Sequence, residues 1–300
     1  MANWVYFMEK LLKILACPVC KRSVRFENHR NIIICGYCCR HYEVKGKVPI
    51  MLEEKAKTDI ENYLNSAAGQ YMLAEFYERG PFLKLYKIIM KITGGSNFHL
   101  PIKKRLDSII NKEGENGIIL EIGSGNRRLH ERVTNVDIAP FENVDVVADG
   151  ASLPFQDETV DAILILAVLE HTRQPQKVIN ECYRVLKKAG IIYAEAPFVF
   201  RYHSYPTDFW RFSLQGLEEL FYDFKKNDAG VCVGPGSGLL TFLTHYVSLF
   251  SFSNNVSINS ILKGITFSFL FPLKYTDLLL IKNQRAHELA AGVYFMGEKK

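Results

Sequence analysis

Two sets of residues in this sequence have the types and spacing that binding chemistry requires, and the first is a group of cysteines. Two C-x-x-C segments, 17–20 and 35–38, are separated by 14 residues. Two such turns can direct four thiolates to one ion, which is the ligand set of a tetrahedral zinc site. A redox pair and chance pairing are the alternatives. The predicted zinc ligands are Cys17, Cys20, Cys35 and Cys38, with Cys39 as an alternative to Cys38.

The second set combines acidic side chains with glycines, and each acid stands in or at the end of a short apolar segment. Its members are Glu121, Gly123, Ser124, Gly125, Asp137, Asp149 and Gly150. A carboxylate at the end of a second strand can accept the hydroxyl groups of a ribose. The two glycines at alternate positions allow a tight turn after the first segment. We therefore expect a ligand at the edge where these segments end.

Two classes of cofactor compete for the glycine turn. A dinucleotide site has the pattern G-x-G-x-x-G, with a pyrophosphate at a helix N-terminus. Here Arg128 occupies the third glycine position, and the carboxylate of Glu121 would repel a pyrophosphate. The same carboxylate would favour a ligand that carries an ammonium and a sulfonium group. An ordinary strand-to-loop turn is the alternative that involves no ligand.

The pattern E-x-G-x-G at 121–125 resembles motif I of the class I S-adenosylmethionine (SAM) dependent methyltransferases, and segment 149–155 is similar to the adenine-binding segment of the ubiquinone- and menaquinone-biosynthesis type. The resemblance implies SAM as the cofactor, with Asp137 at its ribose and Asp149 at its adenine. The implied cofactor residues are Glu121, Gly123, Ser124, Gly125, Asp137, Asp149, Gly150 and Leu169. One departure is the interval of 16 positions from Glu121 to Asp137, which leaves room for at most about two helical turns.

The elements that must position these residues alternate between strand and helix patterns. Seven apolar segments predict strands: 118–122, 136–138, 144–149, 160–166, 191–197, 230–234 and 291–297. Between the fourth and fifth, residues 174–188 are amphipathic and precede Gly190, as expected of a helix. This alternation predicts an α/β fold with a doubly wound, mostly parallel, Rossmann-like sheet and right-handed crossovers. The resemblance implies that the last strand is antiparallel.

The N-terminal region resembles a second family. Segment 11–20, the second C-x-x-C pair and segment 47–52 are similar to the small zinc-ribbon proteins that activate or accompany methyltransferases. Apolar positions at 24–26 and 32–34, with a polar turn between them, predict a hairpin. Because four protein ligands would close the metal site, its predicted role is structural. Cys39 is a departure, since that position is usually glycine in this family.

Residues 197–212 follow the fifth predicted strand and combine aromatic residues with His, Asp and two Arg. Methyl transfer is a displacement at carbon, so an enzyme mainly orients its reactants, but an oxygen acceptor must also lose a proton. We predict His203 as the base, His171 as the second candidate and Asp208 as the group that orients the base. A histidine that only packs and hydrogen-bonds is the alternative.

The segment 238–289 is a helical, apolar insert before the last strand. Lys263 is the only Lys or Arg between Leu239 and Pro272. Its helical periodicity is weak, and no uncharged apolar run reaches the roughly 18–20 residues of a membrane span. Two interpretations compete, a buried cap over the acceptor site and an apolar surface in a membrane interface through 238–280. The cap is favoured, because ligand pockets are concave and mostly apolar.

The composition is that of a globular protein, with 48% hydrophobic and 23% charged residues among 300. Three regions are expected: a zinc ribbon at 1–54, a helical connector that covers the cofactor at 55–117, and the methyltransferase domain at 118–300. In the connector, Tyr71 and Tyr77 are candidates for contact with SAM, and packing against the domain is the favoured alternative.

The net charge of +5 is concentrated at the N-terminus. Residues 1–50 hold nine Lys or Arg against three Glu, and the remaining residues are close to neutral. An electrostatic partner should therefore meet the ribbon first. Residues 15–17 are similar to a lipoprotein cleavage site, but charged residues interrupt the preceding segment, so no signal peptide is predicted. The expected location is cytoplasmic, with reduced thiols, and peripheral contact at the inner membrane face is a further expectation.

Together these features predict a SAM-dependent methyltransferase with a structural zinc ribbon, acting on oxygen in a small, sugar or lipid-linked acceptor. Two alternatives belong to other classes. One is an RNA or protein methyltransferase that docks its substrate on the basic ribbon. The other is a non-catalytic scaffold that binds SAM and whose ribbon recruits a partner, since one fold can host many activities.

Overall fold

The computed structural model describes residues 8–65, 102–114, 116–203, 207–252 and 256–300. Most of the predicted connector, including Tyr71 and Tyr77, lies outside the described residues. The notion of a helical cover over the cofactor in that segment therefore stays a prediction.

The N-terminal ribbon is a four-stranded antiparallel sheet in the order β1-β2-β3-β4. Its strands are β1 (Val24–Glu27), β2 (Ile32–Cys35), β3 (His41–Lys45) and β4 (Val48–Pro49). The predicted hairpin is confirmed, with Val24 paired to Cys35 and Glu27 paired to Ile32. Burial alternates strictly along β3, since Tyr42 and Val44 face inward while their neighbours are exposed. This period of two places one face of the small sheet on a core.

The main sheet has seven strands in the order β10-β11-β9-β8-β5-β6-β7. They are β5 (Ile119–Ile122), β6 (Val133–Asp137), β7 (Val146–Val147), β8 (Val160–Leu166), β9 (Leu186–Pro197), β10 (Phe224–Val233) and β11 (Gly292–Lys299). Strands β5 to β9 are parallel, and β11 is antiparallel to both of its neighbours. The predicted doubly wound, mostly parallel sheet with an antiparallel last strand is confirmed. Three strands begin earlier than predicted, β6 at Val133, β9 at Leu186 and β10 at Phe224.

The helices of the described ranges are α1 (Glu54–Asn65), α2 (Ile102–Lys112), α3 (Pro175–Val185), α4 (Leu214–Leu220), α5 (Pro235–Leu249), α6 (Val256–Leu270) and α7 (Asp277–Leu280). Helix α3 confirms the predicted amphipathic segment, because its buried positions, Val178, Ile179, Cys182 and Val185, follow the helical period. Residues 123–132, between β5 and β6, form turns and bends without a helix, although the interval has room for about two helical turns.

The ribbon and the main sheet share one hydrophobic core. Met51 N–H donates to the carbonyl of Val147 at 2.8 Å, so the ribbon continues the sheet beyond its edge strand β7. Leu15 pairs with Phe155 in an isolated bridge, and both side chains are fully buried. An uncovered edge strand would expose unpaired backbone groups, and the ribbon satisfies them. The two parts therefore cannot separate without exposing apolar surface.

Helices α5 and α6 form most of the insert, and the preferred expectation of a buried cap is wrong for much of their surface. Phe242, Leu249 and Phe269 are 54%, 71% and 79% exposed. The buried stripe of α5 instead consists mostly of small and polar residues, among them Ser237, Thr241, Thr244 and Ser248. Periodicity in the sequence is weak because apolar side chains lie on both faces, with Leu240 and Phe267 buried.

Candidate functional site

The strand order places a topological switch point between β5 and β8. From there the chain proceeds to β6 and β7 on one side and to β9 on the other. Ligands of doubly wound sheets bind in the crevice beyond the carboxyl ends of the strands at this point. The turn after β5 holds the two glycines, and the turn after β8 holds Val168 and Leu169. The sheet therefore brings these two turns to one crevice.

Both glycines after β5 have backbone angles that favour glycine, with φ of +71° at Gly123 and +56° at Gly125. A Cβ atom at Gly123 would lie 2.3 Å from Cγ2 of Val168, so the two turns approach too closely for any side chain there. At Gly125 a Cβ would meet nothing within 4 Å. The first glycine is thus required by packing and conformation, and the second leaves open space beside the turn.

Asp137, at the end of β6, is linked directly to the glycine turn. Its Oδ2 accepts a hydrogen bond from Gly125 N–H at 2.8 Å, and its Oδ1 accepts one from Ala139 N–H at 2.9 Å. Burial raises the pKa of this carboxyl, although the backbone donors act in the opposite direction. Asp137 therefore fixes the glycine turn and presents its remaining lone pairs at the crevice, where the predicted ribose position lies.

Glu121, inside β5, is fully buried. Its Oε1 accepts a hydrogen bond from Nε of Arg127 at 2.8 Å, while Oε2 has no partner in the described part of the chain. Burial raises the pKa of Glu121, and the charge of Arg127 partly offsets this. The neighbouring Ser124 is also buried. One buried oxygen of Glu121 thus lacks a hydrogen-bond donor among the described residues.

Asp149 and Gly150 follow β7 and begin a short 3-10 turn. Asp149 Oδ1 accepts a hydrogen bond from Ala151 N–H at 2.8 Å, which caps this turn. A Cβ at Gly150 would lie 3.2 Å from Cγ2 of Ile122, the last residue of β5. The structure therefore places Asp149 close to the same rim as the glycine turn, and it gives the side chain a local role besides any contact with a ligand.

A second group of polar side chains lies just beyond β8, in the turn Leu169–His171. Leu169 is fully buried, and so is the carboxylate of Glu170. Neither oxygen of Glu170 has a hydrogen-bond partner within the described ranges. Its Oε1 lies 3.7 Å from Nε2 of His171 and 3.5 Å from Nε2 of His203. We call Glu170, His171 and His203 the Glu–His centre.

The loop that carries His203 packs against the turn after β8. Phe209 N–H donates to the carbonyl of Glu170 at 2.7 Å, and Trp210 Nε1 donates to the carbonyl of Thr172 at 2.8 Å. The ring of His203 lies edge-on to that of His171, with centroids 5.0 Å apart. Two segments distant in sequence therefore meet at one point of the rim.

Each histidine of the centre has a partner for its other ring nitrogen. Nδ1 of His171 lies against the carbonyl of Thr207, and Nδ1 of His203 lies 3.4 Å from the carbonyl of Arg201, with Oδ2 of Asp208 3.3 Å away. Asp208 also accepts a hydrogen bond from His203 N–H at 2.7 Å and from Arg211. Burial alone would raise the pKa of Asp208, but these donors outweigh it and hold the pKa at about 2. Both Nε2 atoms are consequently left to face Glu170.

The predicted residues His203, His171 and Asp208 are thus brought together, and Glu170 is the member that the sequence interpretation missed. The signal was present, because Glu170 precedes His171 at the end of an apolar strand. A buried acid beside a predicted base at the rim of the sheet is typical of functional sites. The three ligand atoms lie within 4.8 Å of one another, so this centre could hold a metal ion.

The four predicted zinc ligands also converge. The Sγ atom of Cys20 is 3.4 Å from that of Cys35 and 3.6 Å from that of Cys38, and Cys17 is 3.6 Å from Cys38. Sulfurs bound at about 2.3 Å to one tetrahedral ion lie about 3.8 Å apart, which fits these distances. Cys39 lies outside the cluster, exposed, with φ of +57°. Its left-handed backbone explains why glycine suits this position.

Comparisons with known proteins divide the chain in the same way. Residues 120–194 match a family model described as a methyltransferase domain. The N-terminal region is 45% identical over 49 residues to a UPF0434 protein from Nitrosococcus oceani, a match that covers 16% of this chain and 83% of that protein. A further match, 49% identical over 47 residues, covers 16% of this chain and 23% of an uncharacterized protein from Methanocaldococcus jannaschii.

Among solved structures, phosphoethanolamine N-methyltransferase 2 from Haemonchus contortus, in complex with phosphomonomethylethanolamine and S-adenosylhomocysteine, gives a TM-score of 0.42 at 16% identity. That superposition covers 70% of this chain and 56% of the other.

Proposed function

The chain belongs, through its N-terminal region, to the UPF0434 protein family, and we propose that its methyltransferase domain transfers the methyl group of SAM to an oxygen atom of a lipid-linked or sugar acceptor. The observation that carries this proposal is the proximity of two sites. Val168 packs on Gly123 of the cofactor turn, and Glu170 and His171 follow Val168 in the same turn. A sulfonium methyl group at the crevice would therefore lie near the Glu–His centre.

Methyl transfer from a sulfonium requires an in-line approach and a site that excludes water. For an oxygen acceptor, a base near the crevice must also take the hydroxyl proton. His203 suits this task, because its Nδ1 lies 3.4 Å from the carbonyl of Arg201 and 3.3 Å from Asp208, which leaves Nε2 as the acceptor of a proton. His171 is the second candidate, with Nδ1 held by the carbonyl of Thr207. The position of Asp208, beside Nδ1 and the backbone N–H of His203, supports the orienting role predicted for it from the sequence.

A cavity beside the His203 loop supports an acceptor with both charge and apolar surface. Its volume is about 510 Å³. Its lining includes Arg201, Phe242, His245, Tyr246 and Lys263. Burial, and then the positive charges of Arg201 and Lys263, lower the pKa of His245 to about 3. Such a positive, partly aromatic cavity suits a phosphate with an attached apolar group, as in a lipid-linked sugar.

The outward apolar faces of α5 and α6 support delivery of this acceptor from a membrane surface. Exposed apolar side chains line the cavity, among them Phe242, Leu249 and Phe252, while the inner stripe of α5 is mostly small and polar. A water-soluble helix normally shows the opposite arrangement. Within the described ranges, none of the helices is long and apolar enough to cross a bilayer. We therefore propose that the insert lies in the interface of a membrane.

The acceptor class is tested with radiolabelled SAM and a fractionated cell extract. Label should enter the organic-soluble lipid fraction, and mild acid that cleaves sugar phosphates should release it as a methylated sugar. Label in RNA, together with salt-dependent RNA binding by the whole chain, would favour the docking role of the basic ribbon instead. SAM binding without label in any fraction would favour the scaffold.

The cofactor site is tested separately by calorimetry with SAM. Asp149→Ala should abolish measurable SAM binding while the protein stays folded. Asp149→Asn keeps an oxygen that can cap the turn through Ala151, so it separates the local role from the contact with adenine. Unchanged affinity in both variants would remove Asp149 from the proposed site.

For the ribbon, we propose a structural Zn²⁺ held by Cys17, Cys20, Cys35 and Cys38. Support comes from the fit of the sulfur distances and from the burial of Cys17 and Cys35. The hydroxyl of Tyr42 lies 3.0 Å from Sγ of Cys17 and can stabilise its thiolate. Metal analysis of the purified chain should give one zinc per protein.

A further inference from the structure

We propose that Glu170, His171 and His203 bind a divalent transition-metal cation, distinct from the zinc of the ribbon. One carboxylate oxygen and two imidazole nitrogens lie within 4.8 Å of one another at the rim of the crevice. Glu170 is fully buried, and within the described ranges its two oxygens lack hydrogen-bond partners. A buried carboxylate without a donor is unfavourable, and a bound cation would satisfy it.

The orientation of the two rings is that of metal ligands. In metal sites a ligating histidine usually donates its other ring N–H to a backbone carbonyl or a carboxylate. His171 has the carbonyl of Thr207 in this position, and His203 has the carbonyl of Arg201 at 3.4 Å, with Asp208 beside it at 3.3 Å. Both Nε2 atoms then carry a lone pair on the side of Glu170. A pair of rings that served only for packing would not need both nitrogens arranged in this way.

The distances are close to those of a coordination sphere. Ligands at about 2.1 Å from one ion lie about 3.0 Å apart at right angles and about 3.4 Å apart in a tetrahedron. Oε1 of Glu170 is 3.5 Å from Nε2 of His203 and 3.7 Å from Nε2 of His171. Shifts of a few tenths of an ångström would bring Oε1 and each Nε2 to these separations, and all three ligand atoms lie within 4.8 Å of one another. Three protein ligands leave open positions for water or an acceptor.

The ligand set indicates the class of cation. Two imidazoles and one carboxylate suit Mn²⁺, Fe²⁺ or Zn²⁺, whereas Mg²⁺ and Ca²⁺ prefer oxygen ligands throughout. The four-thiolate site of the ribbon selects zinc, because thiolates are softer donors. The chain would then carry two metals of different chemistry, one closed within the ribbon and one open to the crevice.

The consequence for the reaction rests on the proposed function. An acceptor hydroxyl bound at an open position loses its proton to water more readily, because the cation stabilises the alkoxide. The alkoxide oxygen then forms a bond to the methyl carbon of SAM while the carbon–sulfur bond breaks and S-adenosylhomocysteine leaves. With the cation bound, His203 is a ligand, and the cation replaces the imidazole as the group that promotes proton loss.

Manganese binding to the whole, zinc-loaded chain tests this inference. A mild chelator removes loosely held metal, after which Mn²⁺ is titrated and the resonance signal of the free ion is followed. The wild-type protein should bind one Mn²⁺ per chain. Glu170→Gln and His203→Gln should each weaken binding by at least about 100-fold. His29→Gln alters an exposed histidine of the ribbon, 77% exposed, and should leave binding unchanged.

A spectroscopic measurement distinguishes the loss of a metal ligand from a failure of the variant to fold. Spin-echo spectra of the bound Mn²⁺ should show nitrogen couplings from two imidazoles in the wild type and from one in His203→Gln. Absence of stoichiometric binding at millimolar Mn²⁺, or bound manganese without nitrogen coupling, would overturn the inference. Calorimetry with SAM on the same samples separates the outcomes, since intact SAM binding without manganese leaves the methyltransferase assignment standing and removes only the metal.

Discussion

The thiolate cluster of the ribbon and the Glu–His centre both gather side chains that ligate metals, yet they are assembled in different ways. The four cysteines lie between positions 17 and 38, on two turns of one small sheet. In the Glu–His centre, His171 and His203 are 32 positions apart and meet because the loop after β9 packs on the turn after β8. Local spacing reveals the first site in the sequence, whereas the second becomes visible only with the sheet.

The two sites also differ in their expected contributions, one to folding stability and the other to activity. A ribbon of about 50 residues cannot bury a sufficient core of its own, so metal binding contributes to its folding. The Glu–His centre lies on the rim of the main sheet, outside the core that the sheet shares with the ribbon. Loss of a ligand should therefore reduce stability in the first case and activity in the second. The following experiments test this contrast.

The largest effect is expected for Cys35→Ser, which removes a fully buried thiol of the ribbon. Structural zinc contributes on the order of 10 kcal/mol to folding, and the ribbon shares its core with the main sheet, so the whole chain should lose stability. Thermal unfolding followed by circular dichroism should show a midpoint lower by more than about 10 °C. Glu170→Gln should stay within about 2 °C of the wild type.

Cys39→Ser is the matched control, because Cys39 is exposed and outside the cluster. Its unfolding midpoint and zinc content should equal those of the wild type. A midpoint as low as that of Cys35→Ser would mean that the ligand set includes Cys39.

The next effect concerns the cofactor turn. Gly123→Ala places a Cβ 2.3 Å from Cγ2 of Val168 and forces a φ of +71° on a residue that disfavours it. The turns after β5 and β8 must then separate, and SAM affinity measured by calorimetry should fall at least about 100-fold. Gly264→Ala in α6 is the control, since a Cβ there meets nothing within 4 Å. Equal SAM affinity in both variants would place the cofactor elsewhere.

Much of this architecture could be predicted from the sequence, and the failures have physical causes. Apolar segments identified all seven strands. The first residues of β9 and β10 were not predicted as strand, because both strands begin with charged residues. These are Lys187 and Lys188 in β9 and the stretch from Lys225 to Asp228 in β10. Main-chain pairing with β11 extends β10 through that charged stretch. Binary patterns cannot show such an exposed extension of a strand.

Site prediction failed where burial contradicted residue type. Glu170 is an acid in a fully buried position, and Thr241 and Thr244 form the inner stripe of α5 while Phe242 points outward. Sequence reasoning assumes that apolar residues lie inside, so it favoured a buried cap and passed over Glu170. Positions where an acid is buried or a large apolar side chain is exposed are therefore candidates for contact with a ligand or another surface.

A moderate effect is expected at the residue that orients His203. Asp208→Asn preserves size and a hydrogen-bond acceptor but removes the charge beside Nδ1 of His203 and Arg211. Turnover should fall about 10–100-fold, as for other changes behind a ligand or base, while SAM affinity stays unchanged. Tyr42→Phe is the corresponding change in the ribbon, since it removes the hydroxyl next to Cys17. It should lower zinc affinity and leave turnover unaltered.

The smallest effect is expected at the contact between the two regions. Lys21 of the ribbon lies 2.8 Å from Glu181 of α3, with side chains 27% and 15% exposed. Lys21→Met should reduce the free energy of unfolding by about 0.5–1 kcal/mol, a range typical of partly exposed ion pairs.

Burial raises the pKa of Glu181, but hydrogen bonds from Arg184 and Lys21 outweigh burial and lower it. The stabilisation is then present above the unfolded pKa of about 4.3 and lost as pH falls through the folded value. Urea unfolding at pH 7 and at pH 3 should show the difference between wild type and variant only at pH 7, and a constant difference would assign the loss to packing of the lysine stem.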